Sequence, residues 1–215
     1  GDVYKRQHYD YWSDTVRRSI LVDSKADVLV YGMGELQIVE LADALDQGRF
    51  KESLPSIRGI CYMAKEIPTI DYVECPSYEA IKADKMDFAD AFRIQYDEQD
   101  PFYGRIVVQK HGDRYLIQNT PALPLTQEEM DGVYNLPYTR KWHPKYDDKG
   151  GVPALSEVQF SLVSQRGCFG SCSFCAITNH QGRIIQNRSH ESLIEEAHMM
   201  IKMDNFKGYI HDVGG

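Results

Sequence analysis

At 215 residues the chain is long enough for one large domain or two modest ones, and 42% hydrophobic residues can supply an ordinary buried core. A formal net charge of −8 and a sequence pI near 5.4 argue against nucleic-acid binding by bulk electrostatics, because phosphate recognition needs a basic face. No run reaches the ~18 consecutive apolar residues of a membrane span, and the N-terminus lacks the apolar stretch of a signal peptide; no membrane association is expected, and a cytoplasmic location is the default.

Residues 1–7, GDVYKRQ, have neither periodicity nor an apolar anchor and are read as a non-native leader, outside fold reasoning. From Tyr9 the pattern predicts a short amphipathic helix with Trp12, Val16, Ile20 and Leu21 on one face. The apolar run Val28 to Tyr31 reads as a strand, stopped by Gly32 and Gly34 and followed by a helix from Leu36 to Leu45. Two further strands are expected over 57–63 and 69–75, then one long helix opened by Pro76 and Ser77. β-rich runs on either side of Gly112-Asp113 predict a hairpin.

Residues 119–156 are rich in Pro and Gly, with a short acidic helix near TQEEMDGVY; Tyr134, Leu136, Tyr138 and Trp142 give this stretch the apolar mass of a connector that packs. EVQFSLVSQRGC then reads as a strand, with Val158, Phe160 and Leu162 on one side, delivering Cys168 at its C-terminal end. Ser189 is a plausible N-cap for a helix burying Leu193, Ile194, Ala197, Met200 and Ile201, and KGYIHDVGG is a strand again. The resulting fold class is α/β, with a partial N-terminal α/β domain over 8–118, the connector over 119–156, and a strand–cysteine loop–helix–strand unit, parallel by the usual βαβ rule, over 157–215.

The five cysteines are an odd number, three of them clustered, which does not describe a secreted disulfide framework. Cys61 and Cys75 sit in apolar, strand-like runs and read as small buried hydrophobes. RGCFGSCSFC is different. Its spacing, Cys168-x3-Cys172-x2-Cys175 with Gly167 and Gly170 between, lets a short loop turn without side-chain clash and present three thiolates to a compact sulfur-rich cluster. A [4Fe–4S] cluster on three thiolates keeps one iron open for substrate or cofactor, whereas a fourth cysteine would close it and leave electron transfer only. Zinc is the alternative: a structural zinc site wants four ligands, and His180, five residues after Cys175, could be the fourth.

This spacing, with Phe174 immediately before the last cysteine and a strand leading in, resembles the signature of the radical S-adenosylmethionine (SAM) superfamily. LVYGMGE, NTPALPLTQEEMDGVYNLPYTRKWHPKY, FSLVSQRGCFGSCSFCAITNHQGRIIQNRSHESLIEEA and FKGYIHDVGG together narrow the resemblance to the YgiQ-like family of radical SAM proteins, from about Tyr9 to the last residue. The resemblance implies a cobalamin-binding-like α/β domain followed by the first βαβ unit of a TIM-type barrel. It implies Cys168, Cys172 and Cys175 as cluster ligands, with S-adenosyl-L-methionine bound at the open iron and cleaved by one-electron reduction to a 5′-deoxyadenosyl radical. It further implies Phe174 beside the adenine, Gly214 and Gly215 at the turn that binds the methionine amino group, and a flavodoxin- or ferredoxin-like electron donor as partner. A TIM-type barrel needs six to eight βα units, typically ~200 residues or more, so 157–215 is expected to hold only its beginning and to be unable to turn over alone.

Other motifs fit plainer readings. GMGE lacks the third glycine of a dinucleotide loop and any P-loop lysine, and reads as a tight strand-to-helix turn. No D-x-H-x-x-G signature for base-off cobalamin occurs, and two cysteines outside the trio are too few for the auxiliary cluster of methylthiotransferases. His180, Arg183 and Arg188 follow the cluster loop as possible contacts or charge-balancing neighbours, and His211 and Asp212 lie on the last strand.

Overall fold

The computed structural model describes residues 8–214; residues 1–7, expected to be a leader, and Gly215 lie outside the described residues. The chain divides into two units, one running to Pro124 and including Cys168–Arg183, the other comprising Leu125–Gly167 and everything from Ile184 on.

The first unit opens with a hairpin, β1 (His8–Asp10) paired antiparallel with β2 (Thr15–Arg17), rather than the expected helix. Asp10 explains the difference. Its carboxylate accepts from the Trp12 N–H at 3.1 Å and the Ser13 hydroxyl at 2.6 Å, a local turn that competes with helical bonding, while Arg17 closes on it from the returning strand at 2.8 Å. Trp12 is left 92% exposed at the tip. Helix α1 (Ile20–Ser24), capped by Ser19, follows and buries Leu21.

Strand β3 (Val28–Val30), the glycine turn and α2 (Glu35–Asp46) match the sequence pattern. The short α3 (Phe50–Ser53) and a 3₁₀ turn lead to β4 (Ile60–Ala64) and β5 (Tyr72–Cys75). The long helix expected next is two, α4 (Tyr78–Ala83) and α5 (Lys85–Asp97). Asp84 divides them: its backbone is extended and its carboxylate caps the Met86 N–H at 2.8 Å, a role that suits Asp better than a helix interior. The hairpin of β6 (Ile106–His111) and β7 (Arg114–Gln118) turns at Gly112, whose φ of 60° suits glycine.

These strands form one sheet in the order β3-β4-β7-β6-β5. Only β5–β6 is parallel; the other pairs are antiparallel. A doubly wound layer of the cobalamin-binding type is mostly parallel, whereas three of the four strand pairs in this sheet are antiparallel. Alternation along the strands fills both faces. Ile60, Tyr62, Ile106, Val108 and Ile117 pack with Leu41 of α2 and Leu54 on one, while Cys61 and Leu116 meet Leu21 of α1, and Cys75 and Val107 meet Ile81 and Ala91 of α4 and α5, on the other. Cys61 and Cys75 are buried as expected.

Past α5 the chain is pinned by Glu98, which accepts from the Arg105 backbone at 2.7 Å and from its guanidinium at 2.6 Å. Burial opposes ionisation of this carboxyl, but the hydrogen bonds and charge of Arg105 outweigh it and hold its pKa below the ordinary value.

In the second unit, Thr126 and Glu129 form a reciprocal capping box on α6 (Gln127–Tyr134). A 3₁₀ turn over Pro144–Lys149 follows. Trp142 lies against Gly151, where any side chain would meet the indole at 2.5 Å, and its Nε1–H donates to Asp147 at 2.7 Å. Of the residues expected to give the connector its apolar mass, Leu136 and Tyr138 are 52% exposed and Trp142 40%. Helix α7 (Leu155–Val158) occupies the start of the predicted strand, leaving Val158 exposed, and the strand itself is β8 (Ser161–Val163), then β9 (Gln165–Arg166). After the cysteine loop, β10 (Gln186–Asn187) pairs antiparallel with β9. Helix α9 (His190–Met200), capped by Ser189, leads to β11 (Asp212–Gly214), which pairs parallel with β8 as the βαβ reading requires. Phe160, Leu162 and Met200 form the core with Leu193, Ala197 and Phe206. Ile194 and Ile201 are 56% and 50% exposed, not buried; the inward stripe is instead Ser192, Glu196 and Met200.

Among the described residues no helix is long and apolar enough to cross a membrane.

Ile117 is fully buried at the centre of the sheet, so Ile117→Ala is expected to destabilise the chain by about 2–5 kcal/mol, measured by urea unfolding. Because the folded pKa of Glu98 is depressed, its stabilising share is complete above the unfolded value of about 4.3 and disappears as pH falls through the lower folded value. Glu98→Gln is expected to lower the urea midpoint at pH 7, with the gap to wild type closing at acid pH.

Candidate metal centre

Strand β9 ends at Arg166, and Gly167, with φ of 86°, turns the chain into the cysteine loop. The loop closes on itself. The Cys168 N–H donates to the Gly182 carbonyl at 3.0 Å, and the Thr178 hydroxyl donates to the Cys168 carbonyl at 2.8 Å. Between them the Cys175 N–H reaches the Cys172 carbonyl at 3.0 Å. Helix α8 (Ile177–Gln181) follows and ends at Gly182, with φ of 88°.

Gly170 sits between two of the thiols. Its N–H donates to Cys168 Sγ at 3.4 Å, and a Cβ added there would lie 3.4 Å from Cys168 Sγ and 3.7 Å from Cys172 Sγ. Without that carbon the space between the two sulfurs stays open. Cys168 and Cys175 are half-buried and Cys172 is exposed. Among the described residues no three Cys, His, Asp or Glu side chains gather closely enough to hold a single ion. A tetrahedral zinc ion at about 2.3 Å from each sulfur demands that convergence, so the arrangement with His180 finds no support. Soft thiol donors, the open space at Gly170 and an N–H directed at sulfur suit a larger iron–sulfur cluster.

The other predicted positions are spread out. Phe174 is 91% exposed beside the cysteines. Gly214 ends β11 and its carbonyl accepts from the Ser164 N–H at 2.6 Å; Gly215 lies outside the described residues. Arg183 lies over the Tyr96 ring, 4.1 Å from its centroid. His211 stacks on Tyr209, with centroids 4.9 Å apart, and its ring contacts the Glu157 carbonyl at 3.2 Å. Asp212 is exposed on β11.

The family described as Radical SAM N-terminal matches residues 3–161. This chain belongs to that radical SAM family. The YgiQ-like resemblance agrees with its relatives: a UPF0313 protein of Clostridium botulinum (strain Kyoto / Type A2) is 56% identical over 209 residues, covering 97% of this chain and 32% of the relative. A UPF0313 protein of Clostridium perfringens (strain 13 / Type A) is 54% identical over 210 residues, covering 97% of this chain and 32% of the relative. The chain therefore spans about a third of the length of these relatives. No solved structure matches it.

In this radical SAM chain Arg188 is a buried structural cation. Its guanidinium donates to the Val163 carbonyl at 3.1 Å, to Ser192 Oγ at 2.8 Å and to the Ser192 carbonyl at 3.0 Å, and it pairs with Glu196. Arg140, from the connector, pairs with the other oxygen of Glu196. The Tyr134 ring lies 4.3 Å from Arg188 and 5.1 Å from Arg166. Burial pulls the pKa values of Arg140 and Arg188 below the ordinary arginine value, yet a guanidinium stays protonated. The pattern Arg188, Ser192, Glu196, at steps of four, was a readable signal for this stripe.

Removing one member of a buried charge network leaves the others uncompensated. Glu196→Gln is therefore expected to cost about 3–5 kcal/mol, read as a lower unfolding midpoint.

Proposed function

We propose that Cys168, Cys172 and Cys175 hold a [4Fe–4S] cluster and that the chain is the cluster-bearing part of a radical SAM enzyme. The observation that carries this reading is the Gly170 cradle, where the missing Cβ keeps space open between Cys168 and Cys172 and the backbone N–H is directed at a thiol. When bound, such a cluster with S-adenosyl-L-methionine supplies reductive cleavage of the sulfonium to a 5′-deoxyadenosyl radical.

In this reading the chain's own residues prepare the site. Gly167 and Gly182 bend the loop, and Thr178 fixes the Cys168 carbonyl from within it. Phe174 offers an exposed ring to the adenine of the cofactor, and the family resemblance assigns the methionine amino group to Gly214 and Gly215. Electrons come from a flavodoxin- or ferredoxin-like donor in the cytoplasm. The parallel β8–α9–β11 segment corresponds to the first βαβ unit of a TIM-type barrel, and the strand–glycine turn–helix of the first unit to a divergent cobalamin-type layer. The substrate of the radical belongs to the longer protein.

Anaerobic reconstitution with iron and sulfide tests the cluster. A brown chain with a broad absorbance band near ~400 nm is expected from thiolate-bound iron–sulfur chemistry, lost in Cys172→Ala and retained in Cys61→Ala. A colourless wild-type chain holding one zinc would overturn the reading.

A further inference from the structure

The cysteine loop belongs to the first unit, although β9 and β10 on either side of it belong to the second. Contacts inside the first unit account for this. At the end of α5 the Tyr96 ring carries the Arg183 guanidinium at 4.1 Å. Three residues further, Gln99 Nε2 donates to Asn179 Oδ1 at 2.8 Å. The carbonyl of His180 lies 3.8 Å from where a Cβ on Gly32 would stand, in the GMGE turn after β3. These contacts fall on α8 and on the residue that follows Gly182.

We infer that Tyr96 and Gln99 are positioning residues for the cysteine loop, acting through Arg183 and Asn179; the inference rests on the cluster reading only for what the loop finally holds. The side of α5 that makes these contacts is itself fixed. Glu98, between the two, is buried and bonded to Arg105 through both main chain and side chain, and Asp100 caps the next turn through the Phe102 and Tyr103 N–H groups at 2.7 and 2.9 Å. Tyr96 lies in the last turn of α5 and Gln99 in the turn just past its end. Gly32, with φ of 75°, lets the GMGE turn approach α8 in a backbone conformation that other residues rarely adopt. The clamp does not touch sulfur. It orders the segment that closes the loop, where Gly182 receives the Cys168 N–H and Thr178 holds the Cys168 carbonyl.

Hydrogen exchange on the metal-free chain tests the clamp directly, with the Cys168, Cys175 and His180 amides as reporters and the Val108 and Ile117 amides as controls for the fold. Tyr96→Leu removes the ring face and Gln99→Leu the amide; each is expected to speed exchange at the reporters roughly two- to five-fold, the loss of one exposed cation–π contact or one hydrogen bond, with the controls unchanged. Tyr96→Phe keeps the ring face and is expected to behave as wild type. After reconstitution, the EPR spectrum of the reduced cluster is expected to broaden in Tyr96→Leu and to recover in Tyr96→Phe. Unchanged exchange at the reporters in both Leu variants overturns the clamp. A wild-type chain that takes up no iron overturns the cluster reading alone, and the exchange data still decide whether Tyr96 and Gln99 hold the loop.

Discussion

A guanidinium removed from water must be matched group by group, and in the second unit that requirement falls on Arg188. Its side chain is fully buried and reaches β8 through the Val163 carbonyl and α9 through Ser192 and Glu196. Glu196 in turn takes Arg140 from the connector. One charge cluster therefore joins the connector, β8 and α9. A buried network of this kind adds little net stability over an apolar core of equal volume, but it tolerates few alternative arrangements, since each mispaired state strands a charge. The backbone N–H of Arg188 also bonds Ser164, between β8 and β9, and Ser164 bonds Gly214. The ends of β8 and β11 are fixed by these same few residues.

The cysteine loop works by the opposite rule. It contains few apolar side chains that could bury it, and both of its phenylalanines are exposed. Its shape comes from glycines at positive φ and from internal backbone bonds. Such a loop can adjust around a cluster without repacking a core. The price is weak intrinsic order, which external contacts from the end of α5 offset.

Features set by local chemistry were legible in the sequence. Ser189 caps its helix, Gly112 makes its hairpin, and β3 stops at its glycines, because each depends on residues within a few positions. Local chemistry was also misread where two local tendencies competed: Asp10 makes a turn inside an amphipathic pattern, and Asp84 starts a new helix inside what looked like one. The mixed sheet was not legible, since strand order depends on partners far along the chain. Nor was the inward stripe of α9. Ile194 and Ile201 carry the apolar signal, yet the helix is rotated by Arg140 and Arg188, whose demand for Glu196 outweighs the burial of two isoleucines. Of the candidate site, the cysteines and their glycines were visible as spacing; Tyr96 and Gln99 were not, because neither carries a motif and both act on a segment some eighty positions away.

The two tryptophans are distributed one to each unit, in different surroundings. Trp12 stands in solvent at the tip of the β1–β2 turn, and Trp142, 40% exposed, lies against Gly151 with its indole N–H bound to Asp147. The chain thus carries a pair of built-in optical reporters: a red-shifted, readily quenched emission belonging to the first unit, and one from a partly covered, hydrogen-bonded indole belonging to the connector of the second.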